Sequence, residues 1–220
     1  MKYVVVDLEM NSVASNFIEE RKVCSMEIIQ IGAVVLNEEY EIIGSFSTYV
    51  KPQYNRYIEN MYQRLTGITT YMVKDAPVFK DGLKQFFSWI QTLNDEIEVY
   101  AWSENDLCQI LREAELKGYE FSNYENVILD YWYDFQEEYE EKTQKHYKCS
   151  LVEALSSHGI QLEGKLHDAL YDAKNTAKLL KVVRTDNRIV DCYKAYMNPE
   201  PAQNTLGDIF DFNKLGLSFS

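Results

Sequence analysis

VVVDLEMN, Val4–Asn11, is the stretch on which the fold turns. Preceded by Lys2 and Tyr3, its β-branched start reads as a buried strand over Lys2–Leu8 that runs into acids. Side chains two apart on a strand share a face. Asp7 and Glu9 therefore stand side by side, while Leu8 points the other way into the core. Two adjacent carboxylates repel each other unless a cation sits between them or water surrounds them. A solvated strand end satisfies the pair as well as a metal site does, so this run alone does not decide its chemistry.

Outward from it, EIIQIGAVVL (Glu27–Leu36) is a second strand, and the alternating YEIIGSFSTYV (Tyr40–Val50) a third. The short NEE between them predicts a hairpin turn, which makes the two antiparallel neighbours. Tyr57–Leu65 reads as a short helix leading to TGIT. Ala76-Pro77 opens another, with Phe79, Leu83, Phe86, Phe87 and Ile90 at helical spacing. Glu96–Ala101 is a strand, followed by a helix from Glu104 to Lys117. NVILD at 126–130 reads as a further short strand, and Tyr131–Lys145 as a helix with an acidic outer face. Ser150 and Glu153 form a capping box for a helix that His158-Gly159 ends near Ser157. His167–Arg184 is the longest helical pattern, with Leu170, Ala173, Ala177 and Leu180 facing inward. Three strands followed by alternating helices and strands predict an α/β fold. Its mixed sheet starts antiparallel and continues parallel. No linker precedes residue 196, so 1–195 is expected to be one domain and 196–220 an appended tail.

Composition narrows the class. The 220 residues are 46% hydrophobic and 26% charged, ordinary for a soluble globular chain. No apolar run approaches the roughly 20 residues a membrane span needs. The N-terminus turns acidic too soon for a secretory signal, so the expected location is cytoplasmic. Cys24, Cys108, Cys149 and Cys192 are too scattered for a zinc knuckle and read as free thiols. A formal charge of −13 excludes a broad basic face that coats nucleic acid. It leaves room for a short piece of nucleic acid in an acidic cleft whose bound cations supply the positive charge.

Two further runs carry possible chemistry. In EVYAWSENDLCQIL, Asp106 falls near a helix N-terminus, where an acid is favourable on dipole grounds alone. In HDALYDA (His167–Ala173), His167 and Asp172 are five apart. They reach one region only if His167 lies in the loop before the helix. Asp168 then fits a capping role, and Ala169, Ala173 and Ala177 let the helix approach the sheet closely. Each part has an ordinary structural explanation. Together, Asp7, Glu9, Asp106 and Asp172 with His167 supply what two-metal phosphodiester hydrolysis requires: carboxylates for ions ~3.5–4 Å apart and a base. An imidazole can accept a proton from water at neutral pH.

These three runs, in this order, resemble the motifs of the DEDDh branch of the 3′–5′ exonucleases. That group contains RNase T, the proofreading subunit of bacterial polymerase III and the ERI-like RNA exonucleases. VVVDLEMN resembles the first motif, WSENDLCQIL the second and HDALYDA the third; EIIQIGAVVL, LTGIT and DAPVFKDGLKQF resemble flanking segments. The likeness covers about Met1–Leu180. The sister branch carries tyrosine four residues before the last aspartate. Here that position is Asp168, with His167 one further back, as in the histidine branch.

The resemblance implies an RNase H-like fold and two Mg²⁺ or Mn²⁺ ions. By it, Asp7 touches both metals, Glu9 and Asp172 hold the ion that carries the attacking water, Asp106 orients the second, and His167 is the general base. It also implies substrate contacts for Met10 and Asn11, which stand where much of the family has threonines, and for Leu65, Thr66 and Gly67. Ser12–Arg21 reads as an inserted loop at the groove edge. The implied substrates are single-stranded RNA or DNA 3′ ends, with IIQIGAVV and LTGIT favouring the ERI-like group and hence RNA. The alternatives are a non-catalytic nucleic-acid- or protein-binding module on the same fold, and a polymerase-associated DNA proofreading exonuclease. In the tail, Gln203, Leu206, Ile209 and Phe210 have the spacing of a sliding-clamp peptide. The apolar residues Leu206, Ile209, Phe210, Phe212 and Leu215 equally suit packing back on the domain or a homodimer contact.

Overall fold

The computed structural model describes residues 1–145, 147–190 and 197. Residues 198–220 of the tail, with the clamp-like and dimer-contact readings, and Cys192 lie outside the described residues. Along the chain run β1 (Lys2–Ser12), α1 (Ile18–Val23), β2 (Met26–Leu36), β3 (Ile42–Tyr49), α2 (Asn60–Thr66), α3 (Thr70–Val73) and α4 (Phe79–Thr92). Then come β4 (Ile97–Ala101), α5 (Asn105–Lys117), α6 (Asn123–Asp130), β5 (Trp132–Asp134), α7 (Phe135–Thr143), α8 (Leu151–Ser157) and α9 (Ala169–Thr185).

Among the described residues the strands form one sheet in the order β3-β2-β1-β4-β5. β1–β2 and β2–β3 pair antiparallel, β1–β4 and β4–β5 parallel. This is the expected mixed sheet. Helices cover both faces, and strand alternation sorts the side chains. Val4, Val6 and Leu8 pack with α4 residues Phe79, Leu83 and Phe86, while Val5 packs on the opposite face with Leu179 and Leu180 of α9. By the same alternation Asp7 and Glu9 project on the α9 face.

Two expectations need correction. NVILD is not a strand but the body of α6, which Ser122 opens by accepting the Glu125 N–H while Glu125 binds the Ser122 N–H. The strand at this edge is the three-residue β5, carved from the start of the expected Tyr131–Lys145 helix. Ser12–Arg21 is not simply a loop either: β1 runs on to Ser12, and α1 begins at Ile18. Cys24 and Cys149 are buried free thiols and Cys108 is half-buried.

Beside the site lies a buried ionic triad. The Lys117 ammonium, 2% exposed, meets Glu27 at 2.7 Å and Glu113 at 2.6 Å. Glu27 also accepts the backbone N–H groups of Gln53, Tyr54 and Asn55, and Glu113 accepts that of Ile28. The triad thus ties β2, α5 and the loop after β3 together. That loop in turn holds Asn11, whose side chain accepts the Glu59 N–H and donates to the Tyr57 carbonyl. Removing one partner strands buried charge of one sign. Lys117→Met is expected to cost about 3 kcal/mol and to lower the melting temperature by roughly 6–12 °C. Circular dichroism melting checks this; an unchanged midpoint would mean the triad is not sealed from water.

Candidate active site

Asp7 lies opposite Gly32 of β2, and Glu9 opposite Gln30. A bulge between Glu9 and Met10 shifts the register just beyond the pair. Pairing of β1 with β4 stops at Val6↔Ala101, because β4 ends there and the chain turns toward α5. The Leu8 N–H is left without a strand partner, and Asp106 of α5 accepts it at 3.0 Å. This bond brings Asp106 beside Asp7.

The last motif arrives through α9. Asp168 is its N-cap, accepting the N–H groups of Leu170 and Tyr171. His167 lies in the loop before the helix, as the spacing requires, with a left-handed φ of 60°. Its backbone N–H donates to Asp172 Oδ2 at 2.8 Å. The helix start is seated on β2: Gln30 accepts the Ala169 N–H and its amide reaches Asp168. Gly32 lies so close that a Cβ there would overlap the backbone of Ala169 and Leu170.

The structure therefore brings four carboxylates and the imidazole together. Ligand atoms of Glu9, His167 and Asp172 lie within 4.8 Å of one another. Glu9, Asp106 and Asp172 are buried, Asp7 is half-buried and His167 is exposed. Burial, then the neighbouring Asp106, Glu9 and Asp172, hold Asp7 well above the ordinary carboxylate range. Burial, then Asp172 and Asp106, push Glu9 up to about 8. Burial pushes Asp106 up to about 7 against the relief from the Leu8 N–H. Asp172 is raised by burial and eased by the His167 N–H. Asp172 Oδ1 is buried with no hydrogen-bond partner among the described residues. Crowded acids with an orphaned oxygen and an adjacent imidazole are the donor set of a hard divalent cation.

The expected substrate contacts divide. Leu65 is exposed and Gly67 caps α2 in the left-handed region with φ 80°. Met10 is half-buried against the core. Asn11 and Thr66 have their side-chain polar atoms engaged within the protein. Asn11 is fully buried with both amide atoms bound to backbone, and the Thr66 hydroxyl is taken by the Tyr62 carbonyl and the Ile68 N–H. Neither offers a free polar group. Sequence reasoning missed Gln30 and Gly32; a glutamine and a glycine inside an apolar strand were the available signals.

The RNase_T family model, described as Exonuclease, matches residues 4–180. The chain is 29% identical over 213 residues to ERI1 exoribonuclease 2 of Xenopus laevis, a match covering 87% of this chain and 30% of the relative. It is 32% identical over 130 residues to the DNA polymerase III subunit epsilon of Buchnera aphidicola, covering 58% of this chain and 52% of the relative. The chain thus spans less than a third of the length of the Xenopus protein. The crystallographic structure of the nuclease domain of 3′hExo, a DEDDh family member, bound to rAMP, superposes with a TM-score of 0.72. That match has 22% identity and covers 84% of this chain and 92% of that one.

Proposed function

Since this chain belongs to the RNase T exonuclease family and is of its DEDDh type, we propose that it hydrolyses single-stranded nucleic acid from the 3′ end. On this reading it releases nucleoside monophosphates and takes RNA in preference to DNA. The observation that carries the reading is the grouping of Glu9, Asp172 and His167, one buried oxygen of Asp172 having no partner among the described residues, with Asp7 two residues before Glu9 on β1 and Asp106 bound to the Leu8 N–H between them.

Asp7, Glu9, Asp106 and Asp172 would hold two divalent cations, Mg²⁺ or Mn²⁺, which suit an all-carboxylate set. When bound, such ions stabilise the attacking and leaving oxygens of an in-line displacement. The rest is the work of the chain. A ring nitrogen of His167 takes the proton of the attacking water. The bond from the His167 N–H to Asp172 ties the base to a carboxylate of the same site, so the two keep one spacing. The exposure of His167 lets the imidazole return its proton to solvent after each cycle. The RNA preference follows the relative named as an exoribonuclease. The epsilon-subunit relative favours a second reading, DNA proofreading beside a polymerase.

No helix among the described residues is long and apolar enough to cross a membrane. The experiment is digestion of 5′-labelled single-stranded RNA and DNA of one sequence with Mg²⁺ or Mn²⁺. A ladder shortening from the 3′ end, faster on RNA, is expected. His167→Ala is expected to lower kcat at least about 100-fold, the ordinary contribution of a positioned base, with RNA binding retained. Binding without cleavage in either metal would overturn the enzyme reading in favour of a binding module. Faster DNA cleavage together with co-purification of a polymerase would favour proofreading.

A further inference from the structure

The acidic cluster has to admit a polyanion, and Lys165 stands beside it. It is exposed, two residues before His167, in the segment between α8 and α9. The neighbouring lysines Lys174 and Lys178 are engaged by Glu163. Lys165 closes no ion pair or hydrogen bond with a described residue.

Two glycines in the left-handed region put it where it is. Gly164, φ 69°, lies flat against the Tyr171 ring, which a Cβ would overlap. This turns the chain so that the next side chain crosses toward α2. There the Lys165 ammonium rests on Gly67, φ 80°, in the space a Cβ would fill. The lysine thus spans from the His167 loop to the cap of α2. An ammonium carries three N–H donors. These rest against a glycine backbone without closing a bond to a described residue.

We propose that Lys165 is a substrate-binding residue whose ammonium donates to a non-bridging phosphate oxygen near the 3′ end of the nucleic acid. The proposal rests on the exonuclease reading above and adds to it how an acidic site holds an anionic chain. A purely structural clamp would end in an ion pair or a carbonyl; this side chain ends against Gly67, with its donors free among the described residues. As a single positive charge, it recognises the backbone and not the base. The same position is consistent with a site that does not depend on sequence.

The test uses the full chain, a 5′-labelled single-stranded RNA and Mg²⁺ or Mn²⁺. Lys165→Gln is expected to raise KM about 10-fold, the size of one lost hydrogen bond to a charged group, with kcat within about threefold. The slope of log KM against log salt should flatten by about 0.7, the increment for one phosphate on a single strand. Lys165→Arg should restore most of the affinity and the slope. Substrates with one methylphosphonate at each of the last linkages upstream of the scissile one locate the contact. At one linkage the neutral phosphate should weaken wild type about as much as Lys165→Gln does, and weaken the variant no further.

An unchanged KM and salt slope, or a fall in kcat alone, would overturn the proposal while the exonuclease reading stood. If wild type cleaved nothing, that reading would fail. Anisotropy titration of the same RNA in Ca²⁺ would still judge Lys165 by whether Lys165→Gln loses about 10-fold in affinity. Unchanged melting of this exposed variant separates a binding defect from a folding one.

Discussion

Gly32→Ala is expected to cost the fold at least about 4 kcal/mol, beyond the ordinary penalty for overpacking, and to cut kcat/KM of the folded fraction at least about 100-fold. The added carbon overlaps the carbonyl carbon and oxygen of Ala169 and the nitrogen of Leu170. All three are backbone atoms at the start of a 17-residue helix, so no rotamer change relieves the clash. Either α9 lifts from the sheet or β2 bends away. Gly32 lies directly opposite Asp7, and the atoms it supports lead within three residues to Asp172. Lifting the helix therefore moves Asp172 and His167 away from Asp7 and Glu9. A displacement of about 1 Å is enough for a 100-fold loss in a site that works by positioning. The melting temperature should drop by roughly 10 °C. Gly44→Ala is the control in the same sheet, because its Cβ meets only the Val35 side chain, at 3.0 Å. Melting curves and kinetics of both variants decide the matter. A Gly32→Ala protein with the wild-type midpoint and rate would mean that the helix is not seated on this glycine.

The same contact shows what a sequence reveals and what it withholds. Strand alternation placed Asp7 and Glu9 on one face, and the five-residue step in HDALYDA put His167 in the loop ahead of Asp172; both are local periodicities. The hairpin at Asn37 set β2 beside β3, and the structure keeps it, with the Asn37 side chain binding the N–H groups of Glu39 and Glu41. Asp106 reads from sequence as an acid at a helix start. Its position instead depends on β4 being shorter than β1, which frees the Leu8 N–H, and strand lengths across a sheet are not local. NVILD misled because five apolar and polar residues fit either element, although Ser122 and Glu125 just before it spelled a helix start. Glu113 and Lys117 have the spacing of a solvated surface pair; only the tertiary fold reveals that Glu27 joins them in the interior. The partners of the Asn11 side chain come from a loop 46 to 48 residues later, which no local pattern announces.

Asp7→Asn should separate the two demands on this site. Cleavage is expected to fall at least about 1,000-fold, since metal-ion stabilisation of developing charge contributes several kcal/mol and Asp7 would hold both ions. Without metal, the same substitution should stabilise the protein at alkaline pH. Burial and four neighbouring acids raise Asp7 well above its ordinary range, Glu9 is pushed to about 8 and Asp106 to about 7. A carboxyl raised on folding stabilises the native state fully below its unfolded pKa, near 4. That contribution is lost as pH rises through the folded value. The metal-free wild type should therefore melt progressively lower between about pH 5 and pH 8, and Mg²⁺ or Mn²⁺ should restore the loss by neutralising the acids. Asparagine cannot ionise, and its amide donates to the remaining carboxylates. In EDTA the variant should match wild type at pH 5 and melt roughly 5 °C higher at pH 8, with a much smaller response to metal. Such an opposition is expected where residues are selected for chemistry against the preference of the fold. A variant that melts lower than wild type at pH 8 in EDTA would refute the view that unneutralised acids destabilise this site, and one that keeps a tenth of the activity would refute a metal-holding role for Asp7.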